Sequence, residues 1–479
     1  MGLGRNLSRI GLGRCIVCLV TVIVTAIVAA CAEETPGASQ GSTPVTVQPG
    51  TASSLSATSS SPSGPSSSLS ASALYGHLIA IAQTSQAPDG KPGLRNVAYR
   101  VSLSSGAQTP LWATDKHDVR ATEWRFSPDG QRVAYRRTVA MGTPGDDLIV
   151  QALQPDAQPV VVASHKPTEA NVQGLTWSGF SDSLAYGLRV GRPISDSGVA
   201  GEPIMQPLGW ELHILTSPAV MGDTSPPLAE NSGLPPFPAP EDRTAWRLSE
   251  NEMGDQALTL VAWDAASATA AVAVTDRDGG SVNALRLIDE RRGTEVKRVA
   301  LQSKLLDLVA SPDGRTLAWP KGGDATDGVI QMDLRDGNAG EGLVEPGAHF
   351  GLMWSTDNRA LGWVQEVTAG TVATRRISVK TWDEFNGQIW LHTWRLKEGA
   401  GRILAFSPDG ALALVGTSPD GIAPWSQLWV WKWQMPQDGT LTPPPTAPSS
   451  ALDDPVTPGW ATKLDWTLPD GTYQIAWVR

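Results

Sequence analysis

The sequence predicts an all-β chain of repeated four-stranded sheets, and three observations predict it. A tight turn, Phe126-Ser127-Pro128-Asp129-Gly130, recurs as Ala310-Ser311-Pro312-Asp313-Gly314 and as Phe406-Ser407-Pro408-Asp409-Gly410. Looser copies stand at Trp177–Asp182, Trp354–Asn358 and Trp466–Gly471, and Trp263–Ser267 is recognisable by position. Seven residues after each Ser, or nearly so, lies a small residue between apolar ones: Val133-Ala134-Tyr135, Leu184-Ala185-Tyr186, Leu317-Ala318-Trp319, Leu361-Gly362-Trp363. Residues 73–479 also alternate with period two, as in Gln427–Trp433, and contain no convincing amphipathic helix.

The turn chemistry explains the hairpins. Pro pre-sets φ at the first central position, Asp bonds its own backbone, and Gly takes the left-handed conformation that closes the turn. Strand, turn, strand is the resulting unit. A small residue in mid-strand predicts a second sheet packed closely over that spot.

Taking the Ser or its equivalent at 127, 178, 264, 311, 355, 407 and 467, the spacings are 51, 86, 47, 44, 52 and 60. Apart from the 86, these match or exceed a four-stranded propeller blade. Further runs, such as Asp147–Leu153 and Val329–Leu334, complete each unit with strands c and d after a, turn and b. Seven motifs predict a β-propeller of seven blades, closed by N- and C-terminal strands sharing one blade; six or eight remain compatible with the spacing. Sharing a blade removes both open edges. Both ends, His77–Ala82 and Tyr473–Val478, offer a b-strand for it.

The S-P-D-G turns and their small-residue strands resemble the propeller repeats of TolB-type and WD-repeat-like bacterial proteins. The resemblance spans roughly residues 75–479 and implies the fold, not a partner. It does not extend to the N-terminal α/β domain of TolB or to the hydrolase domain of propeller-containing oligopeptidases.

The N-terminal part has a different character. Arg5, Arg9 and Arg14 precede an apolar run from Cys15 to Ala30, the pattern of a secretory signal over residues 1–30. Its 16 residues are short for a membrane-spanning helix. Val28-Ala29-Ala30-Cys31 resembles a bacterial lipobox, which implies lipid attachment at Cys31 and cleavage before it. Cys15 and Cys18 would leave with the signal, so no disulfide is expected. Ala32 is not the aspartate that retains some lipoproteins in the inner membrane, which favours the outer membrane in a host that has one. Residues 31–72 are rich in Ser, Thr, Pro and Gly and read as a flexible tether, reaching roughly 35 Å as a coil. The G-x-S-x-G match at Gly37–Gly41 lies in this low-complexity stretch without strand or helix and is set aside.

Among candidate chemistry, the 19 Trp stand mostly at repeat positions, where packing between blades accounts for Trp429, Trp431 and Trp433, and for Trp390 with Trp394. Trp382 and Trp425 lie instead in what read as long b-to-c connections, 365–387 and 416–426, and are the candidate ligand-binding residues. A third such connection is expected at 189–208, and a Pro-rich insertion at 217–243 explains the spacing of 86. The six His are isolated in sequence, and Gly322–Gly328 lacks the spacing of an EF-hand. No metal, cofactor or catalytic set is expected. Removing residues 1–30 leaves 34 basic against 48 acidic side chains, a net charge of −14, which opposes binding to nucleic acid. The expected function is a lipid-anchored extracytoplasmic scaffold or sensor of the cell envelope, binding protein or cell-wall glycan. A hydrolase or lyase acting on glycans or peptides in the central pocket is the alternative.

Overall fold

The structure is a computed structural model. It describes residues 76–479 apart from 87–91, 115–120, 139–145, 166–169, 194–204, 217–219, 221–240, 255, 277–280, 322–327, 344–346, 370–371, 384–387, 396–399, 420–423 and 433–460. Cys31, the signal-like segment and the tether lie outside the described residues, as does nearly all of the insertion.

The chain enters on β1 (His77–Gln86), β2 (Pro92–Ser102) and β3 (Gln108–Ala113). A blade follows from β4 (Thr122–Phe126), β5 (Arg132–Thr138), β6 (Asp146–Ala152) and β7 (Val160–His165). The next is β8 (Ala170–Trp177), β9 (Ser183–Pro193), β10 (Met205–Thr216) and β11 (Glu241–Ser249). Then come β12 (Ala257–Asp264), β13 (Thr269–Thr275), β14 (Ser281–Asp289) and β15 (Thr294–Lys304). The fifth sheet is β16 (Val309–Ala310), β17 (Thr316–Pro320), β18 (Val329–Asp333) and β19 (Asn338–Leu343). The sixth is β20 (Ala348–Trp354), β21 (Ala360–Ala369), β22 (Val372–Asp383) and β23 (Gln388–Arg395). The seventh is β24 (Ala400–Phe406), β25 (Leu412–Ser418), β26 (Gln427–Lys432) and β27 (Ala461–Leu464), and β28 (Thr472–Val478) ends the chain. All seven sheets are four-stranded and antiparallel, so the molecule is a seven-bladed β-propeller.

The closing blade has the order β28-β1-β2-β3. The C-terminal strand is therefore its strand a, and β1 is its strand b, pairing His77 with Val478 and Ile79 with Ala476. This settles which end supplies b, and it corrects the reading of Trp466–Gly471. That motif is the connection from strand d of the seventh blade to strand a of the first, not an a-to-b turn. Six motifs sit at a-to-b turns, and in the closing blade the last and first described strands, β28 and β1, pair there. Trp466 is used as a clasp: its Nε1 donates to Leu103 O at 3.2 Å, and its ring covers Gly106.

The S-P-D-G turns are wired identically. The buried Ser127, Ser311 and Ser407 each donate Oγ–H to the carboxylate of Asp129, Asp313 or Asp409. Each Oγ in turn accepts the amide five residues on, from Arg132, Thr316 and Leu412. Gly130, Gly314 and Gly410 take φ of 68°, 74° and 68°; Asn358 and Ser181 do the same work at 63° and 61° in the looser copies. The small mid-strand residue also has its expected cause: a Cβ on Gly362 would stand 2.2 Å from Ile403 of the next blade.

Trp residues join the blades. Trp177 Nε1 donates to Arg125 O of the preceding blade at 2.9 Å, and Trp354 Nε1 to Val309 O at 3.2 Å. Trp394 of β23 meets Trp429 and Trp431 of β26 with ring centroids 5.7 and 5.9 Å apart. Packing between blades thus accounts for these three.

Two variants test this architecture. Gly314→Ala would force a left-handed φ on a Cβ placed 1.8 Å from Trp263 O, and its unfolding free energy should fall by about 2 kcal/mol or more. Deleting residues 472–479 removes β28 and bares an edge on the closing blade, so calorimetry should show loss of the whole cooperative transition. Retention of the transition within a few degrees would mean that the ring does not depend on its closure.

Candidate functional site

The a-strands surround the propeller axis, and between them lies a cavity of about 1040 Å³ in the half of the channel next to the S-P-D-G turns. Its wall at mid-height is Arg125, Thr176, Val261, Val309 and Met353, with Ala476 from β28. The turns themselves and Arg479 form its mouth. The a-strands are not straight. Their ladders break at Thr122/Arg125, Val172/Leu175, Leu260/Ala262, Phe350/Met353, Ile403/Ala405 and, in β28, opposite Ile81/Ala82. Such bulges re-aim side chains, which is why they recur at barrel rims and binding sites.

Three blades turn left-handed at this bulge, and one of them does so without glycine. Four residues before the motif Ser, the third and sixth blades place Gly174 and Gly351, at φ of 89° and 63°. The second blade places Glu123 there, at φ 57°. Gly174 cannot carry a side chain, since a Cβ would stand 2.2 Å from Leu260 O. Glu123 instead projects its carboxylate to the neighbouring strand, accepting Gly174 N–H at 3.0 Å, with Arg136 Nη1 at 3.5 Å. Arg136 is also held by Asp146 at 3.1 Å and donates to Val172 O. Burial pushes the Glu123 carboxyl above its ordinary range, against the pull of Arg136 and Arg125.

Arg125, two residues on, is the charged group of the mid-height wall. Its side chain is exposed although protein surrounds it on nearly all sides, as befits a residue lining a channel. Nη1 donates to Trp124 O at 3.0 Å. The acidic residues at the mouth are already engaged. Asp129 accepts Ser127, Gln131 N and Arg132, and these bonds hold its carboxyl below the ordinary range although burial alone would raise it. Asp357 accepts Ser355 Oγ–H and Arg359 N. The Ser127 and Ser311 hydroxyls beside the cavity are likewise spent inside their turns. The cavity can therefore hold a ligand with an apolar body and offer it a guanidinium.

The two candidate Trp are not brought together. Trp382 lies on β22 opposite Ile389 of β23, at the c-to-d end of its blade, so its placement in a b-to-c loop is corrected. The expected connection 365–387 is instead a long hairpin with only residues 370–371 between the strands. Trp425 does lie between β25 and β26, but it is half-buried, packing over Gly416 and against Leu404. The connection expected at 189–208 shrinks to 194–204.

The fold also gathers histidines that are far apart in sequence. Tyr186 O–H donates to Asp242 Oδ2, and His213 stands between Asp242 Oδ1 at 3.0 Å and Glu211 Oε2 at 2.9 Å. His165 of the preceding blade approaches Tyr186 and His213, ring centroids 5.6 and 6.4 Å apart. Arg247 holds Glu211 at 3.1 Å. The hydrogen bonds of Tyr186, His213, Glu211 and Asp242 bind three strands of one blade together. Burial would lower the His213 pKa, but the two carboxylates outweigh it and raise it. Among the described residues no three His, Cys, Asp or Glu are placed to hold a metal ion.

No protein-family model matches the chain, and no protein of curated function does. Solved structures similar to it include a periplasmic gluconolactonase of Pseudomonas aeruginosa, 13% identical with a TM-score of 0.41, covering 84% of this chain and 99% of that one. TolB of Acinetobacter baumannii is 12% identical at a TM-score of 0.35, covering 88% and 89%. The Cps50 (Swd1) β-propeller domain of Myceliophteria thermophila is 14% identical at 0.34, covering 65% and 83%. At these scores the likeness carries no argument about function, and the propeller assignment stands on its own strand order.

Two measurements check the site's surroundings. Trp425→Ala should lower stability by about 2 kcal/mol, because the ring packs against the core cluster of the last blade. On β23, burial pushes the His392 imidazole down to about 4, from an ordinary 6.5. Between those values the unfolded chain binds a proton that the folded chain refuses, so stability is full above pH 6.5 and drains as pH falls toward 4. Urea titrations across that window should show a loss of up to roughly 3 kcal/mol that His392→Asn removes. His213 has the opposite sign: its stabilisation is full below its ordinary value and is lost as pH rises through its raised one.

Proposed function

We propose that this chain is a binding protein of the bacterial cell envelope, a scaffold or sensor held outside the cytoplasm by lipid on Cys31. The observation that carries the binding role is the axial cavity: a preformed space walled by rigid a-strands whose turns already use their own polar groups. A site of that kind holds a ligand without refolding, which suits recognition. The lipobox-like Val28–Cys31 and the Ser/Thr/Pro/Gly-rich stretch after it support the anchor and the reach of the propeller from the membrane. A protein or cell-wall glycan is the proposed partner, with Trp382 and Trp425 as further contact points.

Cys31→Ser should abolish labelled-palmitate incorporation and lipoprotein-type cleavage in the bacterial host. Palmitate labelling of the variant would sink the anchor. Capture from detergent-solubilised envelope then tests the cavity. Thr176→Trp, which fills its wall, should lose the captured partner while the melting temperature is kept. Undiminished capture would move the binding surface away from the axis, and the Trp382→Ala/Trp425→Ala pair would be the next surface to test.

A further inference from the structure

We infer that the axial cavity recognises a carboxylate presented by an apolar body, and that Arg125 is the residue that binds it. The inference deepens the binding role proposed above and rests on it.

Three observations converge. At the mid-height ring of the channel, the other blades contribute Thr176, Val261, Val309 and Met353; only here, among the described wall residues at that level, does a charge stand. The guanidinium is exposed to the cavity and spends one hydrogen bond, on the neighbouring Trp124 carbonyl. Four of its five N–H donors remain for a ligand, and the planar fork of Arg suits a carboxylate in bidentate geometry. Second, Glu123 occupies a left-handed bulge position that the third and sixth blades fill with glycine, and its field acts on Arg125. Its carboxylate is itself tied to Gly174 and Arg136, so it orients Arg125 electrostatically without capping the fork. Third, the remaining acids at the cavity mouth, Asp129 and Asp357, are bound within their turns, while Arg479 adds a second guanidinium to the lining. A mid-height ring of Val261, Val309, Met353 and Ala476 beside the Arg125 guanidinium is the arrangement that separates an acid from its neutral twin.

The test uses phenylbutyrate and phenylbutanol as probes, titrated into the full propeller by calorimetry. A capped apolar dipeptide, with its C-terminus free or amidated, distinguishes a peptide source of the carboxylate from a small acid. The wild-type protein should bind the acid at least about tenfold more tightly than the alcohol. Arg125→Gln should lose that preference with an unchanged melting temperature. Glu123→Gln, which keeps the side chain's size and an acceptor oxygen for Gly174 N–H but removes the competing negative charge, should tighten the acid. Opposite effects from positions two residues apart on one strand cannot come from simple damage to the fold. Equal binding of acid and alcohol, or a preference that survives Arg125→Gln, overturns the inference while leaving the cavity as a binding seat. So does failure of all the probes to bind, and the envelope reading then stands or falls on palmitate labelling and envelope capture.

Discussion

A buried hydroxyl behind five of the six a-to-b turns is what the ring depends on. Ser127, Ser178, Ser311, Ser355 and Ser407 are all within 4% of complete burial, and each Oγ is held between a carboxylate and a backbone amide. A buried polar group left unpaired costs roughly 1–3 kcal/mol, so the turn has one low-energy shape. That shape lets neighbouring turns crowd the axis. Gly314 lies against Trp263 and Gly410 against Asp357 of the preceding blades, and Gly179 of the third blade reaches Asp313 of the fifth. The turns thereby set where each a-strand stands, and hence the width of the cavity between them.

This dependence explains what could be read from the chain. Turn residues announce themselves because Pro, Asp and Gly each satisfy a local conformational demand, and six of the seven motifs occupy the predicted a-to-b position. Trp466–Gly471 misleads because the same chemistry serves any sharp reversal; Gly471 has φ 74°, as the genuine turns do. Whether such a reversal joins a to b or d to a is decided by pairing over the whole length of the chain, here β28 with β1. Trp382 misled for a related reason. β21 and β22 pair continuously from Ala360↔Thr381 to Ala369↔Val372, but the stretch from Gln365 to Arg376, where the hairpin turns, is polar and mixed and carries no period that marks a strand.

The site was harder to read than the fold, since a repeat directs attention to what blades share. Arg125 and Glu123 are visible only after alignment: a charge where Thr176, Val309 and Met353 stand, and a left-handed non-glycine residue where the third and sixth blades carry Gly174 and Gly351. The gathering of His165, Tyr186, His213 and Asp242 had no sequence signal at all, because it arises from facing strands and adjoining blades. Aromatic content, by contrast, pointed mainly to packing: the abundant Trp residues cross from blade to blade and fix their spacing.

Backbone geometry at Glu123 links the fold to the cavity. A non-glycine residue at φ 57° carries roughly 1–2 kcal/mol of backbone strain, which the glycines of the corresponding blades avoid. It is held there by the Gly174 amide, by Arg136, and through Arg136 by Asp146, whose Oδ2 accepts the Val172 amide. Each partner belongs either to the second blade or to strand a of the third, so the strain is supported by the seam between them. The same bulge turns the chain so that Arg125, two residues later, faces the channel while its carbonyl receives Trp177 Nε1–H. Seam, bulge and guanidinium are one construction. The repeat yields its most economical conformation in this blade, and what stands in its place is a single cation on the wall of the cavity.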